Sequence, residues 1–513
     1  MAGSGRVLAT MAPGDSKRLY TTLARLRAEI EAESAATMAL WAPALHRPTF
    51  RHSAANLARY LALRRRDISA TQSALSRLGL SSLGHSESRV LPALDAVLTT
   101  LAALTGSPPP LRSVAGAHRS GRLTLSREQN RIFGTDPTGP RTRIMMTMPT
   151  EAAFDRGLVR RMIESGGDCA RINCAHDGPD VWRAMIGHVR AAARATGRSC
   201  RVLMDLSGPK VRITAVTPEG KVRVHRGDRF ELTAASRPAG WTGVMATVSH
   251  VEIVQALKPG SVVWINDGRI GARTVRTSSG RALLEVFSAR DRGERLKPEK
   301  GINLPGADLA IPPLTSKDRE DLDFVAAHAD CVGYSFVQRP EDVAQLQQEI
   351  ARRRPGRPAL PLILKIETAL AVRNLPRLIV AAGGSGPVAV MIARGDLAVE
   401  IGLSRLSEVQ EQILWICEAA HVPVIWATQV LDSMVKDGAP SRGETTDAAM
   451  GQRAECVMLN KGPHQVEAIA FLDEVLRRMD RHQHKRSPRL GPLQSWSEPQ
   501  TLSGLPVVEP MSR

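Results

Sequence analysis

Leu19, Leu23, Leu26 and Ile30 recur at three- and four-residue spacing and predict a helix from Leu19, closed by Pro43 and Pro48. A second helix is predicted over 53–66, with Ser53 as N-cap and Leu57, Tyr60 and Leu61 on one face. A third, over 69–78, ends at Gly79, and a fourth, over 90–104, aligns Leu91, Leu94, Leu98 and Leu101. Residues 19–105 therefore read as an all-helical N-terminal domain. Residues 1–18 read as disordered, and 106–140, with Pro108, Pro109 and Pro110, as a linker.

From Arg141 the period changes. Eight short apolar runs follow: RIMMTMP, CARINCAH, RVLMDLSG, CVGYSF, PLILKIE, PVAVMIARGD, VPVIWATQ and ECVMLN. Stretches of helical period separate most of them, as at 156–165, 181–195, 317–327, 340–352, 407–420 and 464–479. Eight buried strands joined by helices predict an α/β fold, a (β/α)8 TIM barrel. About a hundred residues between the third and fourth runs break this rhythm. Their centre, 214–300, alternates apolar and polar residues with a period of two, punctuated by Gly and Asp-Gly turns, and predicts a small β-barrel lid domain inserted into the barrel. The remaining stretches, 141–213 and 301–480, match the ~250 residues of such a barrel. The tail, 481–513, is rich in Pro, Ser and Gln and reads as disordered.

Composition changes this picture little. With 43% hydrophobic residues but only 4% aromatic, aliphatic side chains must fill the core. No apolar run reaches the ~20 residues of a membrane span, and the N-terminus has no stretch apolar enough for a secretory signal. A cytoplasmic protein without a membrane partner is expected. Six cysteines form no CxxC pair and read as small, reduced, buried hydrophobes. The net charge is +18, and residues 1–140, with 18 Arg and Lys against 9 Asp and Glu, supply half of it. No nucleic-acid motif and no aromatic interleaving accompany the charge, so no nucleic-acid partner is expected.

In such a barrel the C-terminal strand ends carry the chemistry. Strand two ends in Arg171, Asn173 and His176, strand three in Asp205, strand five in Lys365 and Glu367, strand six in Arg394, Gly395 and Asp396, and strand seven in Thr428 and Gln429. One lysine, two arginines and three carboxylates suit an anion plus a metal. Lys365 and Glu367 are two apart and so point to one side of their strand. Two buried charges are costly unless paired or metal-bound, and a plain buried ion pair is the competing reading. ARGDL opens a helix near Asp396, where free backbone N–H groups favour an anion.

RINCAH, DLSGPKVR, DGRI, KGINLPG, LKIE, ARGDLAVEIG, ATQVLDSM and PSRGETTDAA, in this order, resemble the signatures of the pyruvate kinase family over about residues 141–480. The resemblance implies transfer of a phosphoryl group from phosphoenolpyruvate to ADP, giving pyruvate and ATP in glycolysis. It implies that Arg171 holds the phosphate and that Glu367 and Asp396 bind Mg2+ or Mn2+. The Gly395–Asp396 backbone receives the substrate carboxylate, Lys365 neutralises the enolate, and Thr428 aids its protonation. Arg212 and Lys300 face the nucleotide phosphates. The inserted β domain corresponds to the family's mobile lid, and a homo-oligomer is compatible with the resemblance.

The sequence also departs from the family. Ala175 replaces the serine of Asn-x-Ser-His after strand two, a potassium ligand, and Lys210 stands where potassium-dependent members carry an acid. Both changes favour independence from K+, with Asn173 and Asp205 left to shape the monovalent-cation pocket. The SGETAxGxYP segment is replaced by Asn460, Lys461, Gly462, Pro463 and His464, which puts nucleotide choice in doubt. The family's C-terminal domain, which carries sugar-phosphate control, has no counterpart in the match. Two alternatives remain: a related phosphoenolpyruvate enzyme with another acceptor, and a non-catalytic regulatory homologue. Four further features carry less weight. His176 reads first as a satisfied core histidine and Asp267 as a hairpin turn. Ser335 reads as structural, and Arg442 with Glu444 as structural or subunit contacts.

Overall fold

Continuous apolar runs favour strands buried on both faces, and eight of them close into a parallel barrel. They are β1 (Arg143–Thr147), β2 (Cys169–Asn173), β3 (Arg201–Asp205), β4 (Cys331–Tyr334), β5 (Leu362–Ile366), β6 (Val388–Ala393), β7 (Val424–Ala427) and β8 (Cys456–Leu459). In this computed structural model each strand pairs with its sequence neighbours, and β1 pairs with β8 to close the ring. The structure describes residues 13–109, 117–135, 141–235, 243–278, 280–307, 309, 311–485 and 487–488. Alternation decides which side chains point where. Met145, Leu203, Ile363 and Ile425 fill the barrel interior. Ile144, Met204, Leu364 and Trp426 pack outward against the helices.

The predicted linker is corrected. Residues 117–133 form a 17-residue helix, Ala117–Phe133, and its last two side chains, Ile132 and Phe133, are each 1% exposed and join the barrel's interior cluster. Arg143 holds the helix end, reaching Asn130 Oδ1 (2.9 Å) and the carbonyl of Gly134 (3.2 Å). The predicted disorder of 1–18 is corrected for its end: a helix runs Pro13–Trp41, while residues 1–12 lie outside the described residues. The tail is corrected likewise. The last barrel helix, Gln465–His482, is followed by the half-buried Lys485, which pairs with Glu455 at 2.5 Å, and all but two of the residues beyond it lie outside the described ones.

The four helices of the N-terminal region are Pro13–Trp41, Pro48–Arg64, Ser69–Arg77 and Val90–Thr105. Ser53 is not a cap. The second helix begins at Pro48, whose fixed φ suits a first turn, and the Ser53 hydroxyl instead meets His421 Nδ1 at 2.9 Å. This region packs on the barrel's outer helices Ala369–Gly383 and Leu403–Ala419. The Phe50 ring lies where a Cβ on Gly383 would sit, and Asn56 donates to the carbonyls of Ala419 (2.8 Å) and Glu87 (2.7 Å). The stretch Glu87–Thr105 is apolar and long enough in composition for a membrane span. Its side chains Val90, Leu94, Leu98 and Leu101 are buried in the helical core.

Between β3 and β4 a mixed, barrel-like sheet of seven strands runs from Ile213–Thr217 to Ile302–Asn303. Phe230, Leu232, Ile265 and Leu284 lie in its core. The chain enters and leaves it side by side: Ile213 N donates to Lys300 O (2.9 Å) and Ile302 N to Val211 O (3.0 Å). All six cysteines are buried and free, as the spacing predicts.

Candidate functional site

The C-terminal ends of the strands converge on a cavity of about 380 Å³, with Lys365 at its base and Arg171, Lys210 and Asp396 around it. Lys365 Nζ donates to Ser335 Oγ (2.7 Å) and lies 3.1 Å from Glu367 Oε1 and 3.5 Å from Asp205 Oδ2. The period-two placement of Lys365 and Glu367 thus brings both into one cluster. Burial pulls the Lys365 pKa down, but Asp205 and Glu367 outweigh it and hold the ammonium above the ordinary lysine value. Burial pushes the Asp205 pKa up, and Lys365 with Arg171 reverses this and holds it low. Glu367 is the opposite case. Burial raises its pKa and Asp396 adds to the rise, against Lys365 and the Phe336 N–H that donates to Oε2 at 2.6 Å.

Arg171 is set by the same carboxylate: Nε and Nη2 donate to Asp205 Oδ2 at 2.9 and 2.6 Å, and Nη1 reaches Thr147 Oγ1 at 3.2 Å. Asn173 turns inward on its own loop, with Oδ1 accepting from Ala175 N (3.1 Å). Lys210 lies against Asp396, its Nζ 3.0 Å from Oδ1 and 3.3 Å from Oδ2, rather than against Asn173 or Asp205. Arg212 lines this cavity and donates to Glu299 O (3.0 Å). Lys300 does not line it. Its carbonyl accepts from Ile213 at the base of the lid. His176 is corrected from a core residue to an exposed one at the mouth, its pKa lowered by burial and by Lys461.

Gly395, Asp396 and Thr428 line a second, larger cavity of about 1180 Å³ between barrel and lid, which the lid's Trp264 and Asp267 face. Asp396 borders both cavities. An added Cβ on Gly395 would come 2.8 Å from Thr428 Cγ2, so glycine is required for that approach. Thr428 itself has φ +73°, costly for a β-branched residue. Arg394 holds it there. Its guanidinium donates to the carbonyls of Ala427 (2.7 Å) and Thr428 (2.8 Å), is paired with Asp447, and lies 4.5 Å from the centre of the Trp426 ring.

Sequence reasoning missed two parts of this site, Asp447 and Glu400. Asp447 gives no signal of its own. Glu400, pushed up to about 7 by burial, lines the larger cavity, and its place one turn after Asp396 is a signal that could have found it. Glu444, read as a structural or subunit contact, caps two helix starts, accepting from Ser433 N (2.6 Å) and Ser441 N (2.9 Å).

Fold and site together define a (β/α)8 barrel with a lid inserted after its third strand and a cluster of basic and acidic side chains at the C-terminal mouth. The family model described as pyruvate kinase, barrel domain, matches residues 139–467. The pyruvate kinase of Methylorubrum extorquens is 33% identical over 348 residues, 66% of this chain and 69% of that protein. Those of Agrobacterium vitis and Corynebacterium glutamicum are each 34% identical, over 67% and 64% of this chain and 70% and 67% of theirs. The chain belongs to the pyruvate kinase family.

Proposed function

We propose that the protein transfers the phosphoryl group of phosphoenolpyruvate to ADP. The observation that carries this reading is the placement of Lys365, held as an ammonium between Glu367, Asp205 and Ser335 at the base of a cavity that Arg171 and Asp396 also line. The P–O bond to the enol oxygen breaks, a P–O bond to an ADP oxygen forms, and the enolate left behind takes a proton at carbon. Arg171, oriented by Asp205, binds the phosphoryl oxygens. Lys365 faces the charge that moves between enolate and phosphoryl group. These are positioning and electrostatic roles, which phosphoryl transfer needs most. Gly395 and Asp396 receive the substrate carboxylate, and Thr428 lies on the side from which the proton arrives. Arg212 and Lys300, at the lid's base, face the nucleotide.

Glu367 and Asp396 suit a hard divalent cation. Their mutual repulsion is part of what raises the Glu367 pKa. No group of three or more His, Cys, Asp or Glu placed to hold a metal ion occurs among the described residues, so Glu367 and Asp396 would be the two side chains to hold Mg2+, a cation that commonly binds through one or two carboxylates. When bound, Mg2+ supplies Lewis-acid stabilisation of negative charge on the substrate. Lys210, an ammonium beside Asp396, provides the fixed positive charge that makes K+ dispensable. Asn173 and Asp205 would shape the monovalent-cation pocket that the resemblance implies.

The test is pyruvate formation from phosphoenolpyruvate and ADP with Mg2+, with and without K+. Turnover indifferent to K+ is expected. Lys365→Met is expected to lower kcat by about 10²–10³, the scale of one lost electrostatic donor. Turnover only with K+ would overturn the role given to Lys210, and none under either condition would overturn the reaction.

A further inference from the structure

Asp318 touches neither cavity, yet its carboxylate gathers hydrogen bonds from both ends of the lid connection. It lies in the first turn of helix Ser316–His328 and is 0% exposed. Oδ2 accepts from the backbone N–H (3.0 Å) and the hydroxyl (2.6 Å) of Thr315, just past the segment by which the chain returns from the lid. This half is an ordinary capping box. Oδ1 accepts from Ser207 N (3.0 Å) and Gly208 N (3.3 Å), on the segment that leaves β3 for the lid. Helix capping does not require this second half.

The loop so held is under tight constraint. Gly208 has φ +64°, and a Cβ there would come 2.8 Å from the Cβ of Ser335, whose hydroxyl accepts from Lys365. Two residues further on, Lys210 reaches Asp396. The Asp318 carboxylate is buried with four donors on it. Such charge-assisted bonds are strong, and losing the acceptor would leave buried N–H groups unpaired.

We infer that Asp318 is a positioning residue: it fixes the loop 206–210 so that Lys210 is delivered to Asp396, and it ties that loop to the segment returning from the lid. The inference rests on the reading of Asp396 and Lys210 given above as parts of one site. It separates Asp318 from a mere helix cap, because a cap acts only through Thr315.

The experiment is pulsed acetylation of the folded, full-length protein with acetic anhydride, read lysine by lysine by peptide mass spectrometry. Lys436 and Lys461 serve as internal references. In the wild-type chain Lys210, paired with Asp396, reacts slowly. In Asp318→Ala, which removes both acceptor oxygens, its rate relative to the references rises about tenfold, the equivalent of one charge-assisted hydrogen bond. Asp318→Glu keeps the charge but shifts the oxygens by one methylene, and gives a smaller rise in the same direction should the alanine variant not fold. Thr315→Val weakens the cap and leaves the Lys210 rate unchanged. Lys210 labelling unchanged in the Asp318 variants overturns the inference. So does an equal rise in Thr315→Val, which would reduce Asp318 to a cap. The labelling needs neither metal nor turnover, so failure of the proposed reaction and failure of this inference are read separately.

Discussion

Gly333 shows how little room the mouth leaves a single residue. A Cβ there would lie 2.4 Å from Asp205 Oδ1, so β4 passes the carboxylate at a distance open only to glycine. Gly333→Ala is expected to force Asp205 away from Arg171 and Lys365. It should cost about 1–3 kcal/mol of stability, as overpacking does, and lower kcat of the proposed reaction further than the fall in Tm explains. Paired unfolding and turnover measurements check this. Asp205 also carries a pH signature. Its pKa is held below the ordinary value by Lys365 and Arg171 in spite of burial. Its contribution is therefore present above the unfolded value near ~3.9 and is lost as the pH falls through the lower folded value. Lys365, with its pKa raised, contributes below its unfolded value and loses that contribution only as the pH rises through the folded one. The stability gap between wild type and Asp205→Asn should thus narrow as urea unfolding is repeated at pH values below ~4.

At the scale of elements, the docking of the second N-terminal helix on the barrel turns on His421. The ring is 1% exposed. Its Nε2 faces Ser88 O at 2.9 Å, which can only accept, so the proton sits on Nε2 and Nδ1 accepts from the Ser53 hydroxyl. Burial lowers its pKa to about 4. Unfolded histidine binds its proton near ~6.5, so between that pH and about 4 the unfolded state holds more protons. The His421 contribution to stability should fall by about 3 kcal/mol as pH drops across this window, against the opposite contribution of Glu400, whose pKa is raised to about 7. The stability difference between wild type and His421→Asn should shift by this amount, as urea titrations at a series of pH values would read. The sequence shows the eight strands because each is an unbroken apolar run, and it shows Lys365 with Glu367 because a strand has a period of two. It hides the partner of Ser53, since a hydroxyl 368 residues from its imidazole leaves no local trace. The same holds for Lys210 and Asp396, 186 residues apart. The helix Ala117–Phe133 escapes for another reason. Its buried apolar positions, Leu125, Ile132 and Phe133, are few, and the prolines and glycines around them outweigh that pattern.

For the whole molecule the consequence is that the helical region and the barrel share one core. Phe50, Leu57 and Leu94 from the N-terminal helices belong to the same buried cluster as Val409, Ile413 and Leu414 of the barrel's outer helix. Ile132 and Phe133 reach the barrel's interior from the segment between the two. Regions joined in this way should unfold together, whereas domains joined by a linker would melt apart. Two substitutions on opposite sides of the divide test this. Phe133→Ala removes a buried ring from the barrel interior, and Phe50→Ala removes one from the seam, where the ring closes over Gly383. Each is expected to cost about 3–5 kcal/mol, the range for phenylalanine truncation in a core. Calorimetry should show one transition for helical region and barrel, moved down by either substitution. Hydrogen exchange should show amides in β5 and β6 losing protection in Phe50→Ala, although no atom of that side chain belongs to the barrel. A Phe50→Ala protein that splits into two transitions, with β5 and β6 protected as in the wild type, would mean that the barrel stands without its helical neighbour.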